Sequence, residues 1–189
     1  MFKIISIFFR SCPLALLTLL ATSSIWAQEN VPVIKDYLID EYGERRAFSR
    51  AVATTGGTTV WVAGHTTLTD AAGNDISGNF EAQTRELFRL IEQRLAHYGG
   101  TLSDIVTMTV YIQDVRDGDR FVELRSEYFN EGRYPSSALI TVVGFARPGT
   151  MIEIKPTAVI GQEIESWFYS HASLRRRFPG NEHHFLDFS

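Results

Sequence analysis

Residues 81–115, EAQTRELFRLIEQRLAHYGGTLSDIVTMTVYIQDV, change their apolar period across Gly99-Gly100. Ahead of the glycines, Thr84, Leu87, Phe88, Ile91, Leu95 and Tyr98 continue a stripe begun by Phe80, at steps of three and four. That spacing predicts an amphipathic helix with one buried face. Asn79 is placed to cap its start, and the two glycines end it. Beyond them the pattern alternates: Val106, Met108, Val110 and Ile112 fall on one strand face, Thr107, Thr109, Tyr111 and Gln113 on the other. A helix and a strand with one apolar face each bury those faces against one another, which points to an α+β domain.

Upstream, AFSRAVATTGGTTVWVAGHTTL (residues 47–68) reads as two β-rich runs around Gly56-Gly57, a pair that supplies the positive φ angles of a hairpin turn. In the second run Val60, Val62 and Gly64 share one face and Trp61, Ala63 and His65 the other. Apolar residues on both faces predict a central strand. Residues 28–46 form a polar lead-in with the makings of one short strand, and TDAAGNDISG (69–78) is a turn-rich loop. Downstream, RDGDRFVELRSEYFNEG (116–132) predicts a second helix with Phe121, Leu124, Tyr128 and Phe129 inward. RYPSSALITVVGFARPGTMIEIKPTAVI (133–160) then reads as two apolar strands joined by a turn. The resulting order is β-β-α-β-α-β-β, one sheet with two helices packed on one face. The opposite, semi-polar face has the composition of a subunit interface.

The first 27 residues combine a short basic start (Lys3, Arg10), an interrupted apolar run and small residues before Ala27. They read as a signal peptide, since the run Leu14–Leu20 is too short to span a bilayer. Cleavage near Ala27 predicts an exported protein, periplasmic or secreted, with no membrane span in the mature chain. The only cysteine, Cys12, leaves with that segment, so the mature chain has neither disulfide nor thiol nucleophile. Lys3 and Arg10 leave too: 18 basic residues become 16 against 22 acids, and the formal charge moves from −4 to −6. This sign argues against a nucleic-acid partner. Residues 161–189 form a C-terminal extension rich in aromatic residues, with an arginine cluster at 175–177. Its adjacent His183 and His184 point apart on an extended chain and do not make a metal-ligand spacing, so no metal is expected.

The segments FSRAV, VWVAGHTTL, EAQTRELFRLIEQRLAHYGGTLSDIVTMTVYIQDV, YFNEGRYPSSALITV and MIEIKPTAVI resemble, in order and spacing, the Rid family, also called the YjgF/YER057c/UK114 family. The resemblance covers about residues 47–160. It implies a chorismate-mutase-like fold assembled as a homotrimer, with small clefts between subunits. It also implies hydrolysis of reactive enamines and imines, such as 2-aminoacrylate, to 2-oxo acids and ammonia without metal or organic cofactor. In such proteins an arginine binds the substrate carboxylate and a glutamate positions the attacking water.

Carried over by residue, the glutamate falls on Glu153 of MIEI. The arginine, in a Pro-Ala-Arg-Ser pattern, falls on Ser136 of YPSSAL. A tyrosine becomes Phe48, a Ser-Gly-Gln pattern becomes Ala63, Gly64 and His65, and an asparagine on the second helix falls on Val122. Serine cannot reproduce a bidentate guanidinium. Arg147 of FARPG is either the replacement charge or a residue of the surface turn before Pro148-Gly149. His65 is either a cleft residue or structural. Strand parity alone reads Glu153 as a half-exposed cross-strand partner near Lys155, and the resemblance reads it as the catalytic acid. Two functions follow. One is an exported trimer hydrolysing an enamine or imine with Glu153, its cleft lined by Phe48, Gly64, His65, Ser136 and Arg147. The other is a non-catalytic ligand-binding or protein-interaction trimer on the same fold. Since 2-aminoacrylate arises beside cytoplasmic enzymes, an exported protein meets a different small organic ligand.

Overall fold

Burying the stripe of the long helix dictates most of the architecture. The computed structural model describes residues 32–163. The elements are β1 (Pro32–Leu38), α1 (Glu41–Arg45), β2 (Ala51–Gly56), β3 (Thr58–Trp61), α2 (Phe80–Ala96), β4 (Ile105–Ile112), α3 (Gly118–Ser126), β5 (Ser136–Thr141), β6 (Ile152–Ile160) and β7 (Gln162–Glu163). The predicted signal peptide with its cleavage near Ala27, the extension beyond Glu163, and the arginine cluster and paired histidines within it lie outside the described residues. No described helix is long and apolar enough to cross a membrane.

The α+β sandwich expected from the sequence is the fold of the described chain. Asn79 accepts a hydrogen bond from the Ala82 amide at 3.0 Å, capping α2, and the Gly100 amide closes its far end on the Leu95 carbonyl. Leu87, Phe88, Ile91 and Leu95 are fully buried against Met108, Val110, Ile112, Ile152 and Ile154. Phe121 and Leu124 of α3 join the same core, and Phe88 stacks on Tyr128 with centroids 4.2 Å apart. Tyr98, read as the end of the α2 stripe, is instead 53 % exposed, because the chain has already left the helix.

Three strand expectations change. The strands divide between two sheets, a four-stranded one in the order β3-β6-β4-β5 and a three-stranded one in the order β2-β1-β7. Gly56 and Gly57 have φ of 75° and 72°, as a reversal requires. They do not close a hairpin: β2 pairs antiparallel with β1 and β3 antiparallel with β6, so the glycines carry the chain from one sheet to the other. A Cβ on Gly57 would lie 2.7 Å from Val159 Cγ1, so the crossing passes close over the main sheet. The lead-in strand β1 thus takes the partner that the hairpin reading gave to β3. In consequence β3 is an edge strand rather than a central one, and Trp61, whose apolar character pointed to burial, is 82 % exposed. Finally, β5 and β6 are not neighbours; β4 lies between them, parallel to β5 and antiparallel to β6.

A bulge in β4 explains how both sheet faces gain apolar contacts. The register on β6 moves by one residue, Ala158 to Thr157, while β4 moves by two, Ile105 to Thr107. Ile105 therefore faces the helices with Met108, Val110 and Ile112. Val106, predicted on that same face, turns to the other side and packs with Val33 and Val159. Beside this second cluster the Lys35 ammonium lies 2.8 Å from Asp104 Oδ1 and 3.3 Å from the Ser103 carbonyl oxygen, with its side chain 1 % exposed. Substituting Asp104→Ala leaves that ammonium buried without a counter-charge and is expected to cost about 3–5 kcal/mol in urea denaturation. Lys35→Met, which removes the charge and keeps the bulk, is expected to cost less than half as much.

Candidate functional site

The strand parity of β6 puts Glu153, Lys155, Thr157 and Val159 on the sheet face away from α2 and α3, with Ile152, Ile154 and Ala158 in the helical core. Glu153 is half-buried and lies across from Tyr111 of β4. It makes no ion pair with Lys155 or with any other described residue. Its carboxylate lies instead over the backbone of Gly64: a Cβ built there would sit 2.0 Å from Oε1. Glycine at this position is what admits the acid. His65 is beside it, its main chain paired in both directions with Ile154 and its Nδ1 2.7 Å from the Ala63 carbonyl oxygen. In that contact Nδ1 is the donor, since a carbonyl oxygen only accepts.

A second group of residues forms on the helical side, at the β5 edge. The loop after α1 turns through Ala47, whose φ of 53° is left-handed, an arrangement usual for glycine at a helix end. Ser49 then bonds to the start of β5, its amide to the Pro135 carbonyl and its hydroxyl to the Tyr134 carbonyl. This fixes Phe48 at the mouth of a cavity of about 280 Å³. Tyr42, Phe48, Val122 and Leu139 give it apolar walls, and Arg46, Arg125 and Ser137 supply polar atoms.

Arg125, which the sequence reading passed over, is 3 % exposed. Its Nη1 donates to Ser137 Oγ at 2.7 Å and its Nη2 to the Arg46 carbonyl oxygen at 2.5 Å, while Nε has no partner among the described residues. Burial, reinforced by the neighbouring Arg46 guanidinium, pushes its pKa down to about 10, so it stays charged at neutral pH. The signal for it was present in the sequence: Arg125 stands four residues after Phe121, inside the apolar stripe of α3.

The structure thus brings the Glu153 carboxylate onto the Gly64 backbone, pairs His65 with the core-facing Ile154, and puts Phe48 and Val122 in a cavity on the helical side. Ser136 does not reach that cavity; its hydroxyl donates to the Val106 carbonyl. Ser137 does. Setting Pro-Ala-Arg-Ser on Pro135 also brings its arginine to Ser137, so the earlier placement on Ser136 was one residue short, and in a strand one residue is the other face. Arg147 is exposed in a turn closed by its carbonyl and the Thr150 amide, and does not line the cavity. Among the described residues no cluster of three or more metal-ligating side chains forms.

The family model described as Endoribonuclease L-PSP matches residues 39–160. The chain belongs to the Rid family. A RutC family protein of Pyrococcus abyssi is 32% identical over 77 residues, 41% of this chain and 61% of that protein, so this match spans less than two thirds of the relative. The 3-aminoacrylate deaminase RutC of Acinetobacter baylyi is 32% identical over 108 residues, 56% of this chain and 82% of that protein. In fold, the chain is similar to the Rid family protein YyfB of Yersinia pestis, with a TM-score of 0.58 at 24% identity, covering 67% of this chain and 98% of that one. The Rid match begins at residue 39, inside the stretch read as lead-in.

The contact between Glu153 and Gly64 is open to a direct check. Ala at position 64 meets only the far end of a flexible side chain, so Gly64→Ala is expected to keep stability within about 1 kcal/mol of wild type. A crystal structure of the variant should find the Glu153 carboxylate swung away from the 63–65 backbone; an unmoved carboxylate would contradict the geometry described.

Proposed function

We propose that the chain hydrolyses a small imine or enamine to a carbonyl compound and ammonia, as a homotrimer with its pockets between subunits. The observation that carries this reading is Glu153: a half-buried carboxylate without an ion-pair partner among the described residues, lying over the backbone of Gly64. Membership of the Rid family and the likeness to a protein named as a 3-aminoacrylate deaminase support the same chemistry.

In this reaction an enamine first takes a proton at carbon to give the imine. Glu153 accepts a hydrogen bond from water, the water oxygen adds to the imine carbon, and its proton passes through the carboxylate to nitrogen. The carbon–nitrogen bond of the resulting carbinolamine then breaks, releasing ammonia and leaving the carbonyl. A separation within one chain supports an assembly of subunits. Glu153 and the Phe48–Ser137 cavity lie on opposite faces of the sheet, and Trp61 stands exposed on the Glu153 side. A second copy packed on that face would bring its own cavity to the first copy's glutamate. Export, as read from the first 27 residues, would set the substrate outside the cytoplasm.

The test is ammonia release from 2-aminoacrylate and from imines generated in place by amino-acid oxidases. Glu153→Gln is expected to lower turnover by about 100-fold or more, within the range of a lost general acid–base group. The variant should elute at the wild-type mass by light scattering. Equal turnover in both proteins would remove Glu153 from the mechanism; no turnover in either would leave a ligand-binding protein on the same fold.

A further inference from the structure

Two aromatic rings stand outside both hydrophobic clusters and meet at the cavity. Tyr42, 49 % exposed, and Phe48 line it, and neither belongs to the helical core or to the cluster around Val33. Their centroids are 6.0 Å apart at an interplanar angle of 85°, so the rings form a corner. Arg50 braces that corner. Its guanidinium carbon lies 5.0 Å from the centre of the Tyr42 ring and 5.3 Å from that of Phe48, and Arg50 itself does not line the cavity. Asp40 holds the brace: one carboxylate oxygen accepts from Arg50 Nε at 3.0 Å and the other from the Gly43 amide at 2.7 Å, capping α1. Gly43 in turn fits against Phe48. Its carbonyl accepts from the Phe48 amide at 3.0 Å, and a Cβ on it would lie 2.5 Å from the Phe48 carbonyl oxygen. The corner is thus preorganised by α1 and the loop that follows.

Perpendicular rings offer a flat ligand two contacts at once, a face to stack on and an edge to meet. A branched aliphatic body gains burial there but neither of those contacts. Tyr42 is what turns one aromatic wall into a corner, since the other apolar walls, Val122 and Leu139, are aliphatic. We propose that Tyr42 is a specificity-determining residue: the corner it makes with Phe48 selects imines with a flat aromatic body over those with a branched aliphatic one. The inference rests on the hydrolase reading for its substrates and on the cavity alone for the selectivity.

The experiment compares, in the full chain, turnover of imines generated in place from phenylalanine and from leucine by an amino-acid oxidase. Binding of the two carbonyl products, 3-phenyl-2-oxopropanoate and 4-methyl-2-oxopentanoate, is measured beside it by isothermal titration calorimetry. Each pair shares its head group, so only the body differs. Wild type is expected to favour the aromatic member by about fivefold, within the range that an aromatic pair contributes. Tyr42→Leu should bring that ratio below about twofold, and Tyr42→Phe should keep it. Because Tyr42 is half-exposed and outside the clusters, neither change touches the core. A wild type without aromatic preference overturns the proposal, as do Tyr42→Leu that keeps the preference and Tyr42→Phe that loses it. Where no imine is turned over the ratio is read from binding, and a chain that neither turns over nor binds any of the four compounds overturns the proposal too. Aromatic preference in binding without turnover leaves the corner standing and removes the hydrolase; equal turnover of both imines removes the corner alone.

Discussion

Alternate residues of a strand share a face, so a regular β4 serves one core with half its residues and exposes the rest. The bulge at Val106 breaks that rule at one point. Below it, Ile105 enters the helical core; above it, Met108, Val110 and Ile112 do the same, and Val106 is turned to Val33 and Val159 on the other side. That small apolar contact seats the second sheet. Seating it fixes β1, and with β1 come β2, α1 and the loop that carries Arg46 and Phe48 to the edge of β5. The wall of the cavity therefore depends on an extra residue in a strand far from it in sequence.

The parts of this arrangement that could be read in the sequence are those with a local physical cause. The α2 stripe, the Asn79 cap and the glycine stop each act within a few residues, and each stands as read. Strand pairing is non-local, and there the reading departs from the structure. Gly56-Gly57 specifies positive φ but not which strand lies alongside, and a polar lead-in gave little sign that it would supply that partner. The bulge was equally silent, since Val106 suits either face. At the site, strand parity alone read Glu153 as a half-exposed partner near Lys155, and the family resemblance was what singled out Glu153, Gly64 and His65. Ser137 was lost to a one-residue slip. Arg125 was passed over although a charge four residues after Phe121, inside an apolar stripe, departs from the pattern of its neighbours.

Two costly features of the described residues lie close together. Ala47, in the left-handed region, immediately follows the carbonyl that Arg125 uses, and the unbalanced guanidinium itself lines the cavity. The compensating contacts lie elsewhere. Glu81 joins Arg85 to Arg120 and Arg85 reaches Glu127, a set of pairs that ties α2 to α3, while Lys35 and Asp104 hold β1 to the start of β4. Half-exposed pairs contribute little singly, but the large helical core and the small second cluster that they flank carry the hydrophobic stabilisation of the domain. A fold held from those clusters tolerates an unfavourable conformation at α1 and an unpaired charge on α3. Costs of this kind persist only where the surrounding structure holds them in place.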